Sequence, residues 1–250
     1  MKSLFIAVAA AFLLSGCLGG SDSGSTPPAQ VQPSQISYSD IAGIWEVKYT
    51  DEGETYEAVM VLTSDGKALL SDLDVAIYGT ASVSNGRLTI QGYAYDGVVI
   101  PVTLTGTANP DRMELLGTSQ VGNQSFVATR TQKEKSLYRQ GANLAGLAGT
   151  YSDDPDFQGY SDVSGIAVID TQGNLTFTAP SCTVMGKLST INTAFNEYNV
   201  RFDTAGCTAA FTSGIYDGVA VKYENSQGKQ GVFATGVMGN QEAVWFVGVK

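Results

Sequence analysis

One ordered set of glycines and aromatic residues occurs twice along the chain, and this repetition constrains the fold more than any other feature. The paired positions are Gly43-Ile44-Trp45 with Gly149-Thr150-Tyr151, Asp65-Gly66 with Gln172-Gly173, Gly79 with Gly186, Tyr95-Asp96-Gly97-Val98 with Tyr216-Asp217-Gly218-Val219, and Gly122-Asn123-Gln124 with Gly239-Asn240-Gln241. The order is the same in both copies, which predicts two similar domains in tandem. The alternative is two unrelated β-meanders that both use glycine turns.

Within each copy, short runs of alternating apolar and polar residues are separated by turn signals. Tyr56, Ala58, Met60 and Leu62 alternate with residues that include Glu57 and Thr63, and Leu175 and Phe177 alternate with Asn174, Thr176 and Thr178. Asn85-Gly86 is a strong two-residue hairpin signal. The chain is rich in glycine and poor in proline, with 29 and 7 residues. These features predict an all-β protein of two tandem antiparallel meander barrels, with about eight strands each. A two-sheet β-sandwich is the alternative.

The opening of each copy resembles the first strand of lipocalins and related calycin barrels, which begins with Gly-x-Trp. Gly43-Ile44-Trp45 matches this pattern, and Gly149-Thr150-Tyr151 matches it with tyrosine in place of tryptophan. The resemblance implies that Trp45 plugs the closed end of a barrel. A barrel this small fills its interior with side chains or holds one small ligand.

The N-terminus resembles that of bacterial lipoproteins. Lys2 precedes an apolar run over residues 4–14, and Leu14-Ser15-Gly16-Cys17 resembles a lipobox. The apolar run is shorter than the roughly 20 residues that a membrane-spanning helix needs. The resemblance implies cleavage before Cys17 and acylation of that cysteine. Leu18 in place of an aspartate implies the outer membrane, with the body facing either the periplasm or the exterior.

These features divide the chain into five segments. They are the signal peptide at 1–16, the lipidated cysteine and a flexible Gly/Ser/Pro-rich tether at 17–37, one barrel-like domain at 38–130, a linker at 131–143 and a second barrel-like domain at 144–250. The region of the linker is locally basic, through Arg130, Lys133, Lys135 and Arg139. We expect it to contain one helical turn, and a docking patch is the alternative.

Charge and composition exclude several classes of function. The chain has no histidine, which excludes Ser-His-Asp and Cys-His catalysis and all His-liganded metal centres. Its net charge of −10 disfavours nucleic acid as a partner. No cofactor motif is present, and we expect no metal site and no enzymatic activity. A hydrolase that uses two carboxylates is the remaining enzymatic alternative.

Acidic residues are densest just after the opening strand of each copy. The residues are Asp51, Glu52, Glu54 and Glu57 in the first copy and Asp153, Asp154, Asp156 and Asp162 in the second. Calcium binds clusters of such oxygens, but the spacing matches no EF-hand loop. We therefore expect solvated loop charges.

The remaining cysteines, Cys182 and Cys207, form an even pair in an exported protein, which predicts a disulfide. Two redox thiols are the alternative, without a CxxC spacing. In a simple meander both cysteines would begin strands two apart, about 9–10 Å from each other. A disulfide therefore requires help from a loop.

The large aromatic residues Trp45, Tyr151, Trp245 and Phe246 are expected to belong to the core. Because Trp245 and Phe246 are adjacent on one strand, one of them must point outward, into a contact between the copies. The first functional hypothesis is a non-enzymatic protein-binding or envelope accessory module with a protein partner. The second is a carrier of a small apolar ligand.

Overall fold

The computed structural model describes residues 36–51, 53–72, 75–157, 165–179, 182–205, 207 and 212–250. Cys17 and the tether predicted at 17–37 lie outside these residues, except for Ile36 and Ser37. All elements described below belong to one compact unit that spans Gln35–Lys250.

Barrel 1 begins with a short helix, α1 (Tyr38–Ile41), and consists of eight antiparallel strands. They are β1 (Gly43–Asp51), β2 (Glu54–Leu62), β3 (Lys67–Ser71), β4 (Ala76–Ser84), β5 (Arg87–Asp96), β6 (Val98–Thr107), β7 (Arg112–Ser119) and β8 (Gly122–Thr129). Each strand pairs with the next, and β8 pairs with β1 to close the barrel.

Two helices, α2 (Gln132–Tyr138) and α3 (Leu144–Leu147), connect barrel 1 to barrel 2. Barrel 2 consists of β9 (Gly149–Asp153), the 3-10 turn η1 (Pro155–Phe157), β10 (Ile166–Ile169), β11 (Asn174–Ala179), β12 (Cys182–Thr190), β13 (Tyr198–Asp203), β14 (Ile215–Glu224), β15 (Gln230–Met238) and β16 (Glu242–Val249). It closes where β9 pairs with both β10 and β16. The prediction of two tandem eight-stranded barrels is confirmed, and neither unit is a sandwich.

The local sequence explains the tight turns of the meander. Asn85 and Gly86 both have positive φ, at 51° and 72°, as a two-residue hairpin turn requires. The turn joins β4 to β5, and the register places Ser84 opposite Arg87. Alternation along the strands then sends one set of side chains inward and the other outward.

The repeated residues mostly occupy equivalent positions. Gly79 lies in β4 and Gly186 in β12, the fourth strand of each barrel. One pair is wrong, since Gly97 lies in the turn before β6 whereas Gly218 lies within β14. The Tyr-Asp-Gly-Val sequence that occurs in both copies therefore lies at different points of the two barrels.

Side chains fill the interior of both barrels. In barrel 1, Trp45, Met60, Leu62, Leu88 and Leu104 are each 0% exposed and belong to one apolar cluster. A second cluster of buried residues fills barrel 2. Its large members include Leu147, Tyr151, Leu175, Leu188, Tyr198, Phe202 and Tyr216. The two cores are separate, so each barrel has its own hydrophobic centre.

The barrels lie side by side with corresponding ends on the same side. Ser64, in the turn between β2 and β3, bonds Glu197, in the loop between β12 and β13. At the opposite ends, the Tyr95 hydroxyl donates a 2.7 Å hydrogen bond to the carbonyl of Gly239. The ends that carry Trp45 and Tyr151 therefore share one side of the molecule, which also carries the helical connection.

Candidate functional site

An aromatic residue and a cation plug one end of barrel 1. The Trp45 indole N–H donates a 2.9 Å hydrogen bond to the carbonyl of Ile41. The guanidinium of Arg130 lies 4.4 Å from the centre of the Trp45 ring, within cation–π distance. Arg130 also donates 2.7 Å bonds to the carbonyls of Ala42 and Asp40. Arg130 is therefore a buried part of the barrel rather than an exposed member of a basic linker.

Barrel 2 repeats this plug with different side chains. The Tyr151 hydroxyl donates to the carbonyl of Leu147 over 2.5 Å, and the Lys250 ammonium lies 5.4 Å from the Tyr151 ring centre. Lys250 also donates 2.9 Å bonds to the carbonyls of Gly146 and Ala148. The expectation that Tyr151 belongs to the core is confirmed.

The opening glycine of each copy makes room for the cation. A Cβ atom at Gly43 would lie 2.6 Å from Nη1 of Arg130, and one at Gly149 would lie 2.8 Å from Cδ of Lys250. The Gly-x-aromatic pattern is visible in the sequence, but its basic partner was not predicted. A signal was present, because a basic residue directly follows the last strand of each copy.

The two barrels contact each other through apolar outer walls. Barrel 1 contributes Ile44, Val61 and Leu69, and barrel 2 contributes Val219 and Phe233, all in one buried cluster. Trp245 packs against this cluster, while Phe246 packs against the interior of barrel 2. The prediction that one of these adjacent aromatics faces the other copy is confirmed.

A buried carboxylate joins both barrels to the connecting helix. Glu197 is 0% exposed and accepts hydrogen bonds from the Tyr138 hydroxyl at 2.5 Å and from the Ser64 backbone N–H at 2.8 Å. Burial and the nearby Glu197 charge raise the pKa of Tyr138 well above its usual range. Tyr138 therefore stays protonated and donates to Glu197. The segment that we expected to be a linker with one helical turn, 131–143, contains α2, a helix of seven residues that packs against both barrels through Tyr138.

The basic side chains of the connection are engaged within the chain. Lys133 forms an ion pair with Glu224 at 3.1 Å, and Lys135 pairs with Asp111. Together with the burial of Arg130, these contacts disfavour a basic docking patch. Arg139 is exposed.

The open end of barrel 1 carries a group of aromatic side chains. The rings of Tyr49 and Tyr56 stack with centroids 5.3 Å apart, and Phe126 lies 5.4 Å from Tyr49. The Tyr49 hydroxyl donates to Asp72, and Tyr56 is 38% exposed. This end could bind a flat apolar or sugar-like ligand by stacking.

The corresponding end of barrel 2 is stapled. Cys182 and Cys207 form a disulfide with Cα atoms 4.3 Å apart. Cys182 begins β12, whereas Cys207 lies in the loop after β13 rather than at the start of a strand. The loop brings Cys207 close enough to Cys182 for a disulfide, which two strand positions in a simple meander would not do.

One outer wall of barrel 2, which we call the β10–β12 wall, exposes aliphatic side chains. Its central row pairs Val168 with Thr176 and Thr176 with Met185, and Ile166 lies beside it. Ile166, Val168 and Met185 are 54%, 47% and 55% exposed. Lys187 borders the row at the next outward position of β12. These exposed aliphatic groups, on β10 and β12 with Thr176 of β11 between them, form a surface suited to protein contacts.

An open cavity of about 310 Å³, which we call the inter-barrel groove, lies where the barrels meet. Barrel 1 lines it with Lys67 and Tyr78. Barrel 2 contributes Lys187, Asn199, Arg201 and Asp217. This groove was not predicted from the sequence, because its residues are distant in the chain and follow no motif.

The acidic stretches are mainly solvated, with one exception. Asp51, Glu54, Glu57, Asp153 and Asp156 are exposed, as expected. Glu52 and Asp162 lie outside the described residues. Asp154 is 1% exposed and contradicts the expectation, because the Tyr223 hydroxyl and the Asn225 side-chain amide donate to its carboxylate.

Two features that would indicate particular functions are absent from the described residues. Within them, no group of three or more His, Cys, Asp or Glu side chains is placed to hold a metal ion. In the same part of the chain, no helix has the length and apolar character to cross a membrane.

Comparison with known proteins gives little further information. No protein-family model matches the chain, and no curated protein matches it. Among solved structures, the chain is similar to Aeromonas veronii immune modulator A, with 9% identity and a TM-score of 0.41 over 84% of this chain and 94% of that chain. A likeness of this strength carries no argument about function.

Proposed function

We propose that this protein is a lipid-anchored, non-enzymatic binding module of the bacterial outer membrane, and that it contacts a protein partner through the β10–β12 wall. The N-terminal resemblance to bacterial lipoproteins supports the anchor at Cys17. Several acyl chains on one cysteine hold a protein stably at a membrane.

The same outer wall is covered in barrel 1 and exposed in barrel 2, and this difference supports the proposal. In barrel 1, the row Val61–Leu69–Tyr78 lies against barrel 2, with Val61 and Leu69 0% exposed. Leu69 follows Gly66 by the same number of residues as Thr176 follows Gly173, so the row Val168–Thr176–Met185 is its counterpart. One copy covers this wall with a neighbouring barrel, and the other leaves it exposed.

The filled interiors also favour binding on the outside. Each barrel packs a continuous cluster of buried side chains in its centre. The outer walls and the groove remain as surfaces for recognition. The expected partner presents an uncharged apolar surface, like the one that Val219, Val221 and Phe233 present to barrel 1.

Photocrosslinking in living cells tests the partner. A photoreactive amino acid replaces Val168 or Met185 in the full chain, and the envelope is irradiated. We expect both positions to give adducts of the same discrete mass. The control is Leu116, a 44% exposed aliphatic residue on barrel 1. Absence of adducts at Val168 and Met185, or identical adducts at Leu116, would contradict the proposal.

The anchor is tested separately through Cys17→Ser. In cells fed with labelled palmitate, the unaltered chain should carry label and sediment with the outer membrane. The variant should lose the label and leave that fraction. Label that persists in the variant would show that Cys17 is not the lipidated residue.

A second candidate is a carrier of a small apolar ligand, which the aromatic group at the open end of barrel 1 favours. Stacking on Tyr56, which is 38% exposed, would hold a flat apolar molecule. Native mass spectrometry of the gently purified full chain tests it. A reproducible extra mass that Tyr56→Ala removes supports the carrier, and a bare protein mass argues against it.

A further inference from the structure

The inter-barrel groove collects positive charge in an acidic protein. Lys187 on β12 is paired directly with Arg201 on β13, and Arg201 is paired with Asp217 on β14. Lys67 and Tyr78 line the opposite side, from barrel 1. The groove therefore contains three cations and one carboxylate in a chain whose net charge is −10.

The paired cations are unfavourable for the sheet itself. Like charges directly opposite one another on neighbouring strands destabilise a β-sheet. The fold does not require them, because the equivalent row of barrel 1 is neutral. That row pairs Thr80 with Gln91 and Gln91 with Thr103. A role outside the fold explains why Lys187 and Arg201 are adjacent.

The cations keep capacity for another anion. Among the described residues, Lys187 donates 2.9 Å bonds to two neutral oxygens, the carbonyl of Gln172 and the side chain of Asn174, and the charge of the nearby Asp170 carboxylate also acts on it. Arg201 meets Asp217 at 3.2 Å, and both side chains are more than half exposed, so water screens this pair. Lys67 is shared between Asp65 at 3.0 Å and the Asn199 side chain.

The groove also offers neutral donors. Burial, with the charges of Asp65 and Asp217, raises the pKa of Tyr78 to about 12. Its hydroxyl therefore keeps its proton at neutral pH and can donate a hydrogen bond. The volume of about 310 Å³ lies at the lower end of the range for small-molecule sites.

We propose that the inter-barrel groove binds a small polyanion that carries two or more carboxylate or phosphate groups, with Lys187, Arg201 and Lys67 as its cationic contacts. Two separated acidic groups could reach the Lys187–Arg201 row and Lys67 at the same time. Such a ligand would neutralise the opposed cations and join the two barrels.

Isothermal titration of the full chain in detergent, at low ionic strength, tests the site with citrate and pyrophosphate as probes. The variant Lys187→Gln/Arg201→Gln removes the central row. The control, Lys48→Gln/Arg112→Gln, removes the same amount of charge from exposed ion pairs of barrel 1 with Glu57 and Glu114. We expect the groove variant to weaken binding by about tenfold or more, since each charged hydrogen bond contributes strongly. We expect the control to change it by less than about twofold.

The outcomes are distinct. Equal weakening in both variants would show non-specific attraction and overturn the proposal, as would no binding of either probe to the unaltered chain at millimolar concentration. Thermal melting of each variant verifies folding, and a groove variant that unfolds is replaced by Arg201→Gln alone. Lys187 borders the β10–β12 wall, but the titration measures the binding of a small anion and leaves Val168 and Met185 unchanged. A failure of the titration therefore leaves the crosslinking result unaffected.

Discussion

Barrels 1 and 2 have similar interiors but different outer surfaces. Both close an eight-stranded meander, and both plug one end with an aromatic side chain beneath a cation. On the outer walls the same strand positions hold Leu69 in one barrel and Thr176 in the other. A barrel interior must be filled at native density, which limits change there. An outer wall is constrained only by what covers it, so differences at the surface indicate where the copies have separate roles.

The two plugs also differ in strength. Arg130 is buried and bonded to several carbonyls, whereas Lys250 is exposed. Barrel 2 has a disulfide at its other end, and barrel 1 has none among its described residues. Barrel 1 thus depends on its plug, whereas barrel 2 combines a weaker plug with a covalent staple.

Removal of the plug aromatic should give the largest effect. Trp45→Ala empties a fully buried site, and we expect the free energy of unfolding to fall by about 3–5 kcal/mol. Tyr151→Ala should cost less, because the tyrosine side chain is smaller and lies under an exposed cation rather than a buried one. Urea denaturation followed by circular dichroism measures both. An equal loss in the two variants would refute the contrast.

Loss of the disulfide should affect barrel 2 alone. The bridge spans 25 residues, and its removal through Cys182→Ala/Cys207→Ala should cost roughly 3 kcal/mol by the chain-entropy account. Hydrogen exchange read by mass spectrometry reports each barrel separately. We expect faster exchange in β12 and β13 with β1–β8 unchanged, and faster exchange in β1–β8 would contradict the prediction.

Glu197→Ala should uncouple the barrels. It leaves the buried Tyr138 hydroxyl and the Ser64 N–H without their carboxylate partner, at a cost of about 2–3 kcal/mol. Differential scanning calorimetry should then show two transitions where the unaltered chain has one. Glu224→Ala, at an exposed ion pair, is the control, and it should leave the profile unchanged within about 1 kcal/mol.

The two plug cations should differ in value. Arg130→Ala removes a buried group from the carbonyls of Ala42, Asp40 and Pro110, and we expect a loss of about 2 kcal/mol. Lys250→Ala removes an exposed group and should cost about 1 kcal/mol or less. Thermal melts of the single variants give the order, and a larger loss for Lys250→Ala would reverse our assignment.

Alkaline pH should destabilise both barrels and only above pH 10. Burial raises the pKa values of Tyr78 and Tyr151 from 10.0 to about 12. Between these values the unfolded chain loses protons that the folded chain keeps, so stability is complete below pH 10 and falls as the pH rises towards 12. The urea midpoint against pH tests this, with tyrosinate absorbance as a parallel signal. A midpoint that is constant to pH 12 would contradict it.

The sequence alone predicted the elements and the division of the chain. Alternating residues and turn signals such as Asn85-Gly86 act over a few neighbours, so they are readable before folding. The repeat predicted two copies, and the opposite directions of Trp245 and Phe246 followed from strand geometry. The disulfide followed from cysteine counting, although its geometry needed the loop that carries Cys207.

The tertiary structure decided which chemically similar residues do different things. From the sequence, Arg130 belongs to a basic linker, but in the structure it lies over Trp45. Asp154 was expected to be a solvated loop charge, but in the structure it accepts hydrogen bonds from Tyr223 and Asn225. The two Tyr-Asp-Gly-Val segments likewise belong to strands that are not equivalent in the two barrels.

Contacts between distant parts of the chain determine burial, and burial determines whether a charge is solvated or paired. Local geometry along the chain is enough to specify two barrels, their turns and the alternation of side chains between the inner and outer faces of each strand. Only packing decided which wall each barrel covers, which wall of barrel 2 stays exposed, and that Lys67 and Arg201 line one groove. No local pattern relates residues from two different barrels, and they meet there only after both barrels have closed.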